Sequence, residues 1–127
     1  MVIKLDKNMI DSKELSSLLS QCIGTERYYC MPVPRLLYTD GVKLFVDKAG
    51  AYWLLVDIGL FLHDRPNLRS QYFLDIQLKV TEDNKGKLVF DDGNGNVLFE
   101  RSYKYIVPVG EWHFFYTSDV LMLPSEY

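Results

Sequence analysis

The stretch Tyr72-Phe73-Leu74-Asp75-Ile76-Gln77-Leu78-Lys79-Val80 decides the fold. Tyr72, Leu74, Ile76, Leu78 and Val80 alternate with Phe73, Asp75, Gln77 and Lys79. That period of two puts every second side chain on one face of a half-buried strand. The chain before this stretch carries apolar residues at helical spacing, and the chain after it keeps the period of two. Helices first and strands afterwards describe an α+β domain.

Downstream, residues 81–86 form a polar turn and Lys87 to Asp91 a second strand, with Leu88 and Phe90 inward. Asp92-Gly93-Asn94-Gly95 signals a hairpin, because Gly and Asn tolerate the positive φ of tight turns. A third strand runs from Asn96 to Tyr105, with Val97, Phe99, Tyr103 and Tyr105 on one side. After a break at Pro108 to Glu111, Trp112, Phe114 and Tyr116 alternate again, and Val120 to Leu123 is a short last strand.

Upstream, Asp11 and Glu14 have the spacing of a capping box, and Leu15, Leu18, Leu19 and Cys22 follow helical spacing up to Gly24. Pro32 and Pro34 rule out a helix interior or a central strand in residues 28–38, leaving an edge strand or an irregular crossing segment. Thr39-Asp40-Gly41 reads as a helix start, with Val42, Phe45, Val46 and Ala49 on one apolar face. From Ala51 to Leu62 only Asp57 and Gly59 interrupt an apolar run, too short to span a bilayer and of the length of a buried core helix. The architecture expected is N-terminal helices packed on one face of a four- or five-stranded, mainly antiparallel meander sheet, in one domain over residues 1–127.

Composition narrows the function classes. With 127 residues the chain is of single-domain size and large enough to hold a core without disulfides or metals. Its formal net charge is −3, and its basic residues occur as pairs such as Arg65 with Arg69 rather than as a patch, which disfavours nucleic acid. Cys22 and Cys30 read as two buried thiols of a reducing cytoplasm. The N-terminus lacks the pattern of a signal peptide. A cytoplasmic protein is expected, with no membrane association.

Candidate chemistry is sparse. From Asp92, the calcium-loop pattern requires Gly at its sixth position and an acid at its twelfth; Val97 and Tyr103 stand there, so the segment is a hairpin turn. No pair among His63, His113 and the cysteines has metal-ligand spacing, and no phosphate loop or nucleophile elbow occurs. No catalytic, metal or cofactor-binding residue is assigned and no cofactor is expected. Asp57 is the oddity: a carboxylate in an apolar helix needs a partner, and Trp53 and Phe61 lie one turn to either side. Trp53, Asp57 and His63 therefore outline a candidate cleft for a small-molecule-binding or hydrolytic domain. The plainer reading pairs Asp57 with an arginine such as Arg35 or Arg101, or has it face a groove or cap a loop. Tyr28 and Tyr29, in the run up to Pro34, and Tyr127 could present aromatics at an interface, against the alternative of core filling.

Thr39-Asp40-Gly41, Ala49-Gly50-Ala51-Tyr52-Trp53-Leu54-Leu55, Asp91-Asp92-Gly93-Asn94-Gly95-Asn96-Val97 and Leu121 to Tyr127 resemble segments of a domain-of-unknown-function family. Its members are small bacterial proteins, from cyanobacteria and from phages and plasmids. The resemblance implies a stand-alone protein of accessory or mobile genes, and no substrate, cofactor or catalytic residue. The function expected is a non-catalytic protein-interaction module, binding a protein partner or itself as a homodimer through an open sheet edge.

Overall fold

The computed structural model describes residues 13–16, 27–106 and 108–127. Residues 13–16 are helical and Leu15 is fully buried. Asp11, Leu18, Leu19, Cys22 and Gly24, the remainder of the first expected helix, lie outside the described residues.

Seven strands follow: β1 (Tyr28–Pro32), β2 (Arg35–Thr39), β3 (Phe73–Val80), β4 (Gly86–Asp91), β5 (Val97–Tyr103), β6 (Gly110–Thr117) and β7 (Val120–Met122). They form one sheet in the order β1-β2-β7-β6-β3-β4-β5. Every neighbouring pair is antiparallel except β2 with β7, which is parallel. The expected four- or five-stranded meander behind N-terminal helices is thus corrected to a seven-stranded mixed sheet whose first two strands precede the helices of residues 40–69, while the α+β class holds. Two of the additional strands come from residues 28–39, whose prolines sit where a sheet tolerates them. Pro32 ends edge strand β1, and the cis Val33-Pro34 bond lies in the turn before Arg35.

Between β2 and β3 the chain forms α1 (Asp40–Ala49), α2 (Tyr52–Asp64) and the short α3 (Pro66–Arg69). Thr39 caps α1, its Oγ1 accepting from the Val42 N–H at 3.3 Å, and Gly50 at φ 62° ends it. Val42, Phe45, Val46 and Ala49 all face the core, as their spacing predicts. Leu54, Leu55, Ile58 and Leu62 of α2 do the same. The rest of α2 departs from the expected buried helix: Tyr52, Val56 and Leu60 are 45%, 37% and 41% exposed along one outward stripe. Gly59 is where the tip of the β1–β2 hairpin meets α2, since a Cβ there would lie 2.8 Å from Cγ of Pro34. A helix interior normally favours Ala over Gly, so this close approach explains the residue.

The helices cover the sheet face carrying Leu74, Ile76, Leu78, Leu88, Phe90, Trp112 and Phe114, all buried. Tyr72, expected to begin that inward row, is instead 90% exposed just ahead of β3. Val97 and Tyr105 are also exposed, because the ladder shifts register between Phe90 and Asp91 and β5 ends at Tyr103. Cys30, on edge strand β1, is exposed rather than buried. By strand alternation the sheet's opposite face carries Phe73, Asp75 and Gln77 of β3 and His113 and Phe115 of β6.

Candidate functional site

That opposite face carries the odd-numbered residues of β3. Register places Phe73 opposite Thr117, Asp75 opposite Phe115 and Gln77 opposite His113 on β6. Phe73 and Phe115 pack with ring centroids 4.8 Å apart, and Tyr127 meets each of them edge-on at 5.6 Å. Beside this trio lies an open groove of about 670 Å³, whose wall is completed by Asp75, by Gln71 and Tyr72, and by Asp92, Gly93 and Asn94 of the β4–β5 turn.

The turn is held against the aromatic floor by its own chemistry. Asp91 Oδ1 accepts from the Gly93 N–H at 2.6 Å, and Asp92 Oδ1 from the Asn94 N–H at 2.8 Å. Asn96 Nδ2 donates to Asp92 Oδ2 at 2.9 Å. This bond and the backbone N–H groups hold the Asp92 carboxyl below its ordinary range. Gly93 has φ 89°, and a Cβ there would come within 2.9 Å of the Phe73 ring. Glycine alone combines that backbone with that contact.

Asp75 is the charged group in the wall nearest the sheet. Its Oδ2 accepts from Gln77 Nε2 at 3.1 Å. Its Oδ1 is sealed from solvent without a hydrogen-bond partner among the described residues, and His113 Nδ1 stands 3.6 Å away. No lysine or arginine is among the described residues that line the groove. This site was hidden behind an outward strand face that reads as polar. The signal that could have found it is an aromatic residue on that face of both central strands, Phe73 on β3 and Phe115 on β6.

The residues singled out from sequence sit elsewhere, with one exception. Asp57 accepts a hydrogen bond from the Tyr103 hydroxyl at 2.6 Å, which ties α2 to the end of β5. Its partner is therefore a tyrosine and not Arg35 or Arg101; the Arg101 guanidinium lies 5.6 Å from the centre of the Phe61 ring. The Trp53 ring meets Tyr103 at 5.2 Å, and its Nε1 is buried without an acceptor among the described residues. His63 is not brought to them. It is exposed near the C-terminus of α2, where its carbonyl accepts from Arg69 at 3.0 Å. Tyr28 is 63% exposed on β1, and Tyr29 stacks on Tyr38 at 5.7 Å beneath the Lys43 ammonium. Tyr127, 72% exposed, is the exception and belongs to the groove. Among the described residues no three His, Cys, Asp or Glu side chains gather in a way that could hold a metal ion.

Burial, and then the hydrogen bond and charge of Asp57, push the Tyr103 hydroxyl far above its ordinary range. In the unfolded chain a tyrosine ionises near pH ~10. Above that pH the unfolded state binds fewer protons than the folded one, so stability falls as pH rises. The contribution is fully present below pH ~10 and is lost through the higher folded pKa. Tyr103→Phe is expected to flatten part of this alkaline decline while costing about 1–3 kcal/mol at neutral pH, because Asp57 loses its donor. Urea unfolding at neutral pH and just above pH ~10 checks both effects. Tyr38 and Tyr116, raised chiefly by burial, leave a residual slope.

A family model matches residues 13–127. The chain belongs to DUF6876, a family of unknown function. No curated protein and no solved structure matches it. In this DUF6876 protein, segments that look unrelated in sequence meet in space. Thr39 and Gly41 contact Glu126, and Gly93 and Asn94 share the groove wall with Tyr127. No described helix is long and apolar enough to cross a membrane.

Proposed function

We propose that this DUF6876 protein is a non-catalytic protein-interaction module of accessory or mobile genes, acting in the cytoplasm, and that the groove on the outer face of its sheet holds the partner. The observation that carries this reading is the aromatic trio Phe73, Phe115 and Tyr127, flooring an open groove and flanked by Tyr72. Tyrosine and phenylalanine are enriched at the centres of protein interfaces, where their large area comes at low entropic cost. An open groove admits a chain segment, whereas an enzyme's pocket closes around its substrate to exclude water. The exposed free thiol of Cys30 suits a reducing compartment.

The test is affinity capture from host lysate with wild-type protein and with Phe115→Ala, each first checked for a native circular dichroism spectrum. A specific partner held by the wild type is expected to be lost from the variant, a cost of about 2 kcal/mol or more at an interface centre. Retention of the partner by Phe115→Ala would remove the groove from the interface, and recovery of the chain itself would identify a homodimer. A second reading, a small-molecule-binding or hydrolytic cleft near Asp57, draws support from the buried indole N–H of Trp53. The Tyr103 hydroxyl already bonded to Asp57 weighs against a free general acid there.

A further inference from the structure

We infer that the groove selects a guanidinium group: an arginine side chain of the partner protein lies on the aromatic floor and donates to the Asp75 carboxylate. This rests on the reading of the groove as the partner-binding surface, and it names the chemistry that the surface accepts.

The charge of the wall comes first. Two carboxylates, Asp75 and Asp92, line the groove, and no lysine or arginine does among the described residues. Asp92 is already engaged by the N–H groups of its own turn. Asp75 is engaged more weakly. Only 22% of its side chain is exposed; among the described residues its Oδ2 accepts from the neutral amide of Gln77, and His113 Nδ1 stands 3.6 Å from its Oδ1, too far for a hydrogen bond. Asp75 lines the groove, its Oδ1 is sealed from solvent, and its Oδ2 keeps a lone pair beyond the one Gln77 occupies. A carboxylate withdrawn from water and met by so few donors gains more from an arriving cation than an exposed one does.

The floor decides which cation. Phe73, Phe115 and Tyr127 bring their rings together within a side chain's reach of Asp75, and a ring face attracts positive charge. A guanidinium is planar, weakly hydrated and edged with N–H donors, so it stacks on a ring and bonds to a carboxylate at once. An ammonium is a compact, strongly hydrated point charge that does the first less well. A divalent metal ion lacks its ligands here, since no three suitable side chains converge among the described residues. The groove is open and larger than one side chain, so its occupant is an arginine within a peptide segment rather than a free small cation.

The experiment titrates the full chain with three capped tripeptides, acetyl-Gly-Arg-Gly-amide and its lysine and citrulline counterparts, while following backbone amide resonances. Citrulline keeps the shape of arginine and removes its charge. The expected result is movement of the Phe73, Asp75 and Phe115 amides with the arginine peptide, with the citrulline peptide bound at least about tenfold more weakly and the lysine peptide between them. Asp75→Asn is expected to erase the preference for arginine over citrulline. Should that variant lose its dispersed spectrum, Tyr127→Ala, at a 72% exposed position, is expected to weaken arginine binding several-fold. Equal binding of arginine and citrulline, an unchanged preference in Asp75→Asn, or groove amides that stay still at millimolar peptide each overturn the inference. These outcomes are separable from failure of the underlying reading. A groove that binds both peptides alike, in a protein whose Phe115→Ala variant loses the partner, remains an interface without charge selection. A Phe115→Ala variant that keeps its partner removes the interface itself.

Discussion

Phe45→Ala is expected to lower the unfolding free energy by about 3–5 kcal/mol, the cost of removing a large aromatic from a core that cannot close over the space. Phe45 is fully buried on the inner face of α1. Its ring lies 5.5 Å from that of Trp112 and 5.2 Å from that of Phe114, both on β6, so it joins the helical layer to the sheet. Neither neighbour is free to collapse inward. Trp112 is tethered through its Nε1, which donates to the Pro108 carbonyl at 2.9 Å, and Phe114 is fixed by its place in a central strand. The cavity therefore persists and adds its own cost to the lost transfer energy. Against a total stability of about 5–15 kcal/mol for a domain of this class, the loss leaves a marginal fold. Equilibrium urea unfolding measures it as a lower midpoint at unchanged slope. A loss below about 1.5 kcal/mol would mean that Trp112 swings into the cavity despite its tether.

Glu126→Ala is expected to cost about 2–4 kcal/mol, a large effect for a residue near the end of the chain. Its carboxylate accepts from the Thr39 hydroxyl at 2.6 Å, the Gly41 N–H at 3.2 Å and the Leu123 N–H at 2.9 Å. Thr39 and Gly41 stand at the N-terminus of α1, where backbone N–H groups have no helical acceptor and the helix dipole favours negative charge. The C-terminal segment thus supplies the first turn of a helix more than eighty residues earlier with its anion, a separation of 87 positions at Thr39. Removing the carboxylate strands these donors in a partly buried site. Glu126→Gln keeps an acceptor without the charge, and about half the cost is expected to return.

Gly41 offers an independent check. A Cβ at that position would lie 2.5 Å from a Glu126 carboxylate oxygen, so Gly41→Ala displaces the same group. In a double-mutant cycle the two losses are expected to be strongly non-additive, whereas simple addition would mean that Gly41 acts through something else. The effect reaches the groove as well. Tyr127 follows Glu126 directly, and it packs on Phe73 and Phe115 only while the segment before it is docked. Glu126→Ala is therefore expected to weaken partner binding as well as stability.

The same pair of residues shows what local reading can reach. A helix start at Thr39 or Asp40 and Val42, Phe45, Val46 and Ala49 as a buried face follow from spacing over a few residues; the structure agrees and makes Thr39 the cap. So does the alternation of Leu74, Ile76, Leu78 and Val80 beneath the helices, and so does the Asp-Gly-Asn-Gly hairpin. Glu126 was legible only as one residue of a terminal segment resembling a family. Its role depends on a helix end that chain order places far away. In the groove, Tyr127 was singled out as an exposed aromatic, but Phe73, Asp75 and Phe115 read as the outer row of two strands. An outer row becomes a site only when neighbouring strands bring two such rows together.

What the amino-acid order determined by itself is therefore a part of the elements, namely the capped helix, the alternating strands after residue 72 and the tight turn, together with the α+β class, but not the paired strands β1 and β2. These depend on side-chain period and on the backbone freedom of a few Gly, Asn and Pro residues, which act within one element. Only the tertiary structure decided the parallel pairing of β2 with β7, the tyrosine that answers Asp57 across 46 positions, and the aromatic groove beside Asp75. Each of these joins segments whose separation in the chain leaves no periodic trace. Sheet order and side-chain partnership are settled by which arrangement buries the most apolar surface while giving each buried polar group a partner, and that balance belongs to the whole chain.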